Sequence, residues 1–100
     1  MFKEFFPGFI KIHILYHASK GPIYGTGIQQ ELQRHGYQLS PGTLYPTLHR
    51  LQKEGYLEKR PRVVGGKIRN YYTITARGKA ALNEARDKVR ELVREVIEDR

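Results

Sequence analysis

The chain lacks cysteine and tryptophan and carries a single methionine among its 100 residues. Without cysteine, neither a disulfide framework nor a thiolate metal site can form. This composition suits a reducing cytosol, so we expect a cytoplasmic protein. No apolar run approaches the roughly 20 residues that are needed to span a bilayer, and we expect no membrane association.

Signatures of catalysis are also missing. The sequence has no glycine-rich phosphate loop, no nucleophile motif and no paired carboxylates outside the polar C-terminal segment, so an enzyme is not expected. His13 and His17 lie four residues apart and share one face of a predicted helix over residues 9–18. No carboxylate accompanies them on that helix, so we expect no metal site. We also expect no cofactor.

Acidic residues are scarce in the first three quarters of the chain. Residues 1–75 hold 11 Lys and Arg against 4 Asp and Glu, whereas residues 76–100 hold 7 against 6. A cationic body favours a polyanionic partner such as double-stranded DNA, although excess basic residues can also serve solubility alone.

The first half of the chain predicts three helices. The first covers residues 9–18, with Ile10 and Ile14 on one apolar stripe, and Gly21-Pro22 then breaks the chain. The second covers residues 25–35, and Gly36 ends it as a C-terminal cap.

The third predicted helix has two different faces. Ser40 is a suitable N-cap, Pro41 fits the first helical position, and Gly55 stops the helix. Leu44, Leu48 and Leu51 form one apolar stripe. The opposite face is small, hydroxyl-bearing and basic, so a phosphate or a base edge can approach it closely. The alternative is the third helix of a small bundle with a solvated outer face.

A basic hairpin follows that helix. Leu57–Val64 and Lys67–Ile74 alternate like strands, and Gly65-Gly66 suits a tight turn between them. In the register centred on this turn, Arg62 lies opposite Arg69, and an external anion would relieve their repulsion. The hairpin would then bind the phosphates of a nucleic acid. The alternative is a charged hairpin that is simply solvated. Three helices and a basic hairpin predict a mainly α winged helix-turn-helix DNA-binding domain over residues 1–75.

Residues 76–100 predict a separate C-terminal dimerisation helix that is capped by Thr75. Its apolar residues step by three and four, which is typical of a heptad seam. The apolar stripe of this helix is longer than the rest of the small domain can cover, so we expect a homodimer. Packing of this helix on the first helix of the same chain is the alternative. A twofold dimer calls for an inverted-repeat operator.

Three segments together resemble the PadR family of transcriptional regulators: YGTGIQQEL, SPGTLYPTLHRLQKEGYL and NYYTITARGKAAL. They follow the order and spacing of that family between about residues 9 and 82. The resemblance implies a compact winged-helix dimer, usually a repressor, that dimerises through its C-terminal helix with help from the first helix. It also implies DNA contacts from Tyr24, Thr43, Tyr45, Pro46 and the basic wing. Some compact members bind planar aromatic effectors at the dimer interface.

These observations predict a sequence-specific DNA-binding regulator, a repressor that binds its operator as a homodimer. The alternative is a winged-helix protein-interaction module without specific DNA binding. The resemblance also makes a small aromatic effector at the dimer interface a candidate partner. The predicted DNA-binding residues are Tyr24, Ser40, Gly42, Thr43, Tyr45, Pro46, Thr47, His49, Arg50, Arg60, Arg62, Lys67 and Arg69. The predicted dimer interface comprises Phe5, Phe6, Phe9, Leu82, Ala85, Val89, Leu92, Val93 and Val96.

Overall fold

The computed structural model describes residues 2–100, with side chains described from Glu4 onward. The elements follow in the order α1 (Phe2–Lys20), β1 (Ile23–Tyr24), α2 (Gly25–Arg34), α3 (Pro41–Lys53), β2 (Leu57–Val64), β3 (Lys67–Ile74) and α4 (Ala76–Leu92), and a π-helical turn at Val93–Ile97 extends α4. This is the predicted mainly helical winged-helix fold. Among the described residues, no helix is both long enough and apolar enough to cross a membrane.

Helix α1 begins earlier than the sequence predicted. It starts at Phe2 and contains Pro7, whereas the apolar pattern indicated a start near residue 9. A proline removes one backbone N–H and its ring presses on the preceding turn. Pro7 lies in the second turn of α1, where little helix precedes it, so α1 tolerates the loss.

Helices α2 and α3 end in the same way, as predicted from Gly36 and Gly55. Both glycines have positive φ angles, +88° and +86°. The Tyr37 N–H donates to the Leu32 carbonyl at 2.9 Å, and the Tyr56 N–H donates to the Leu51 carbonyl at 2.9 Å. This Schellman arrangement satisfies carbonyls at the helix end and requires a left-handed residue that glycine supplies without strain.

Of the two predicted N-cap residues, Thr75 makes a capping hydrogen bond and Ser40 does not. The Thr75 hydroxyl accepts a hydrogen bond from the Gly78 N–H at 3.0 Å, which caps α4. Ser40 occupies the cap position of α3, and Pro41 begins the helix, but the Ser40 side chain makes no capping bond. The Ser40 hydroxyl faces the Thr43 hydroxyl at 3.4 Å instead.

The wing is a three-stranded antiparallel sheet rather than a hairpin alone. The predicted register is confirmed, since Leu57 pairs with Ile74 and Arg62 pairs with Arg69. Strand β1 adds to the other edge of β3 in the order β1-β3-β2. Two residues are too short a run to show a period of two, which explains why the sequence did not indicate β1.

One apolar core lies beneath all of these elements. Its fully buried members include Ile14 of α1, Leu32 of α2 and both Leu44 and Leu48 of α3. Leu82 of α4 joins the same core and is only 2% exposed. The assignment of Leu82 to the dimer interface is therefore corrected, because this side chain is already covered within its own chain.

The end of α4 departs from the predicted continuous α-helix. The Glu98 N–H donates to the Val93 carbonyl at 3.0 Å, a bond that spans five residues. A π turn is wider than an α turn, so the α-helical spacing from which the seam was predicted does not hold within Val93–Ile97. The molecule is elongated, with extents of 54 × 28 × 20 Å and a radius of gyration of 14.6 Å. A compact chain of this length has about 13 Å.

Gly78 lies where α4 packs closely on the rest of the chain. A methyl group at this position would overlap the Tyr56 carbonyl oxygen and come within 2.7 Å of Ile74 Cγ1. We expect Gly78→Ala to lower the free energy of unfolding by about 1–3 kcal/mol, because backbone cannot yield to the added carbon. Denaturant unfolding followed by circular dichroism measures this change.

Gly8→Ala is the matched control. Gly8 lies inside α1, and a methyl group there meets no atom within 4 Å. This variant should be unchanged or more stable by about 0.5–1 kcal/mol, since alanine is the better helix former. Equal stability of the two variants would rule out steric crowding at Gly78.

Candidate nucleic-acid interface

The outer face of α3 is open to solvent along its whole length. Leu44, Leu48 and Leu51 are buried and hold the opposite face to the core. The exposed residues of this helix and its cap include Ser40, Gly42, Thr43, Tyr45, Pro46, His49, Arg50 and Lys53, and Thr47 is half-buried. No acidic residue occurs within α3, so this face is free of carboxylate repulsion toward an anion.

The hydroxyl groups at the start of α3 divide into two kinds. The Thr47 hydroxyl donates to the Thr43 carbonyl at 2.9 Å and is committed to the helix backbone. Ser40 and Thr43 keep exposed hydroxyl groups beside the first-turn N–H groups. The positive end of the helix dipole adds to their attraction for an anion.

Tyr45 combines exposure with a packing role that the sequence did not indicate. Its side chain is 45% exposed, yet its ring covers Gly25 at the start of α2. Burial, and secondarily the neighbouring Tyr45, raises the pKa of Tyr72 beneath it. Any residue larger than glycine at position 25 would displace this ring, so Gly25 positions Tyr45.

Each of the two paired wing arginines lies over an aromatic ring, a contact that the sequence did not indicate. The Arg69 guanidinium lies 4.2 Å from the centre of the Tyr24 ring, and the Arg62 guanidinium lies 5.3 Å from that of Tyr71. Each cation thus stacks on its own aromatic ring, and the two rings touch edge-on at 5.5 Å. These cation–π contacts hold each guanidinium in place within the chain, and both arginines keep their positive charge.

Charge on the remaining wing residues is strongly positive. Arg60 pairs with Glu58 at 3.2 Å, and both side chains are largely exposed, so the pair contributes little stability. Glu58 is the single carboxylate among the residues of β2 and β3. Lys59 and Lys67 are exposed on the same hairpin, and the wing keeps a net positive charge.

Tyr24 connects the wing to the helix-turn-helix. It belongs to β1 and is also the residue from which α2 starts. The structure therefore brings Tyr24, Arg62 and Arg69 into one cluster at the edge of the sheet. The α3 residues form a second group, whose link to α2 is the contact between Tyr45 and Gly25.

A second exposed surface is apolar and lies on α4 and α1. We call Ala85, Val89, Leu92, Val93 and Val96 the α4 seam. Leu92 is 53% exposed and Val96 is 69% exposed, while Ala85 and Val93 are half-buried. On α1, Phe5, Phe6 and Phe9 are exposed as well. Tyr16 and Ile97 belong to the same type of surface but were not among the predicted interface residues.

The structure and the sequence place this chain among winged-helix transcriptional regulators. Residues 14–84 match the transcriptional regulator PadR-like family. The chain is 50% identical over 95 residues to transcriptional regulator Rv3488 of Mycobacterium tuberculosis, covering 95% of this chain and 89% of that protein. The chain belongs to the PadR-like family, which comprises transcriptional regulators rather than enzymes.

Solved structures support the same assignment. A PadR-like transcription factor from Bacteroides fragilis superimposes with a TM-score of 0.83 at 28% identity, over 98% of this chain and 96% of that one. Bacillus subtilis PadR in complex with operator DNA superimposes with a TM-score of 0.66 at 29% identity. The latter match covers 74% of this chain and 44% of that chain, so it is confined to part of the longer protein.

Proposed function

We propose that this protein is a transcriptional repressor that binds an inverted-repeat operator as a homodimer. The observation that carries the proposal is the α3 surface: one face is buried by leucines, and the other is exposed, hydroxyl-bearing and without carboxylates. A helix of this kind fits the major groove, where it presents donors to base edges. Likeness to a PadR structure in complex with operator DNA supports the same partner.

The exposed face of α3 and the basic wing are proposed to contact different parts of the DNA. Residues 1–75 form the DNA-binding unit, in which α3 reads bases through Thr43, His49 and Arg50. The wing, with Arg60, Arg62, Lys67 and Arg69, contacts phosphates and fixes the orientation of the protein on the duplex. A cytoplasmic location is part of this proposal, because the cysteine-free sequence suits a reducing compartment.

Tyr24 and Tyr45 have two roles in this proposal. Their rings are packed against Arg69 and Gly25 respectively, so they position the wing and α3 relative to α2. The exposed part of Tyr45 also faces the groove. A substitution to alanine at either position would disturb packing and DNA contact together, so neither variant separates the two effects.

Dimerisation is proposed to use the α4 seam and the aromatic residues of α1. In the isolated chain these side chains are exposed along an element that projects from the body. The flanking face of α4 is ionic, with pairs such as Arg90–Asp87 at 3.1 Å and Lys88–Glu91 at 4.0 Å. An apolar stripe between charged flanks is the pattern of a helix that packs on a second copy.

We also propose that a small aromatic effector binds at the dimer interface, beside Phe6 of α1. A cavity of about 350 Å³ lies between α1 and α3, and its lining includes the side chains of Phe6, Ile10 and Tyr37. The same cavity reaches Thr43, Thr47 and Arg50 of α3. A planar ligand in it would touch the helix that we assign to base reading.

The first test separates base reading from general attraction. Arg50→Ala should weaken binding to a duplex that the protein selects from a random pool by about 1–3 kcal/mol, because a base contact is lost. Binding to an unselected duplex should fall less. Fluorescence anisotropy at fixed salt measures both affinities.

Lys88→Ala provides the control with the same change in charge, since this side chain is 75% exposed on α4. It should bind both duplexes within about twofold of the parent, in line with the small effects of a remote exposed charge. If Arg50→Ala kept full affinity for the selected duplex, or lost both affinities equally, the base-reading role would be wrong.

The second test concerns the dimer. Leu92→Glu should convert the protein to a monomer, because a carboxylate would be buried without a partner in the apolar seam. Light scattering on a sizing column should then give the 11.7 kDa of one chain instead of twice that mass. Lys88→Glu, on the ionic face of α4, should stay dimeric. Unchanged mass for Leu92→Glu would place the interface elsewhere.

A further inference from the structure

Three histidines from two helices converge beside α1. His13 and His17 lie on α1, and His35 is the C-cap residue of α2. One ring nitrogen from each of the three histidines lies within 4.8 Å of the other two. The His13 and His35 rings are stacked, with centroids 4.7 Å apart and planes inclined by 23°.

Only small movements are needed to bring these nitrogens onto one ion. Zinc binds imidazole nitrogen at about 2.0–2.1 Å, so tetrahedral ligand nitrogens lie about 3.4 Å apart. His13 and His17 are one turn apart on a fixed helix and are half-buried, which holds them in place. His35 is exposed at a helix end, where a rotation of its side chain can close the remaining distance.

One carboxylate and two arginines lie beside the cluster. The Glu31 carboxylate lies 3.8 Å from His17 Nε2 and also accepts a hydrogen bond from Arg34 at 3.0 Å. At 3.8 Å the carboxylate makes no hydrogen bond to His17, but a small rotation would let it accept one from the imidazole N–H, as the carboxylate partners of metal-bound histidines do. The other groups at the cluster are the aromatic rings of Tyr16 and Tyr37 and the Arg86 side chain of α4.

We propose that His13, His17 and His35 bind one divalent transition-metal ion of the zinc type, with Glu31 orienting His17 and water completing the coordination. Neutral imidazole is a preferred ligand for zinc, cobalt and nickel. The helical spacing of His13 and His17 indicated only a pair of ligands on α1. The third ligand comes from α2, which folds back against α1.

The position of this site suggests what the metal does. His35 directly precedes the link over residues 36–39, and the Gln29 amide donates to the Leu39 carbonyl of that link at 2.8 Å. An ion would therefore tie α1 to the turn that positions α3. The cavity beside the histidines, of about 320 Å³, is also lined by Leu82 and Val89 of α4. The site thus lies between the proposed reading helix and the proposed dimer helix.

Calorimetric titration of Zn²⁺ into untagged, metal-stripped protein tests the site. We expect one ion per chain for the parent and at least tenfold weaker binding for His35→Ala and for His13→Ala. His35 is exposed, so His35→Ala should keep the parent's circular dichroism spectrum. The site can therefore be tested with this variant even if His13→Ala folds poorly. Co²⁺ absorption should give a d–d spectrum in the parent that is lost in His35→Ala.

His49→Ala is the matched control for zinc binding, because His49 is an exposed histidine on α3, outside the cluster. It should bind zinc as the parent does. Binding by His35→Ala within twofold of the parent would overturn the site. So would the absence of a stoichiometric ion in the parent, or an equal loss in His49→Ala.

The regulatory consequence rests on the proposed function and has its own readout. Zinc should change the affinity of the parent for its selected duplex by at least threefold relative to chelator, and should leave His35→Ala unaffected. If zinc binds but the DNA affinity stays constant, the coupling is wrong while the site stands. If the parent binds no DNA in either condition, the proposed function fails instead.

Discussion

Burial of one face of α3 is the constraint on which the rest of this structure depends. Leu44 and Leu48 are fully buried in the core, where α3 packs on α2 and β2, and this burial fixes which residues of α3 face solvent. Three buried leucines are worth several kcal/mol, so the helix cannot rotate about its axis without a large cost. The hydroxyl-bearing and basic face is therefore presented outward as a fixed surface, and DNA binding is proposed to use it without rearrangement.

The features that could be predicted from the sequence are those set by local rules. Gly36 and Gly55 stop their helices because only a left-handed residue completes the cap, and this requirement is visible in the sequence. The Gly65-Gly66 turn set the register of the wing, and the pairing of Arg62 with Arg69 followed from it. Leu44, Leu48 and Leu51 were predicted as the buried stripe of α3 because their spacing matches the period of a helix.

The features that could not be predicted depend on residues distant in sequence. Arg62 lies over the Tyr71 ring and Arg69 over the Tyr24 ring, and Tyr24 joins the wing only through the two-residue strand β1. Leu82 fitted the heptad pattern of α4 but lies in the core. The heptad spacing alone does not show at which turn a long helix stops packing on its own chain. His35 meets His13 only after α2 has folded against α1. Contacts of this kind are set by tertiary packing.

The central claim, that the basic wing and the α3 face bind DNA, is tested most directly by the salt dependence of binding to a duplex of the selected sequence. Each phosphate that is neutralised releases counterions, so the logarithm of the affinity should fall linearly with the logarithm of the salt concentration, by about 0.9 per phosphate contacted. We expect a slope that corresponds to several phosphates per dimer. A flat dependence, or no binding at low salt, would contradict the account and favour a winged helix that binds protein instead.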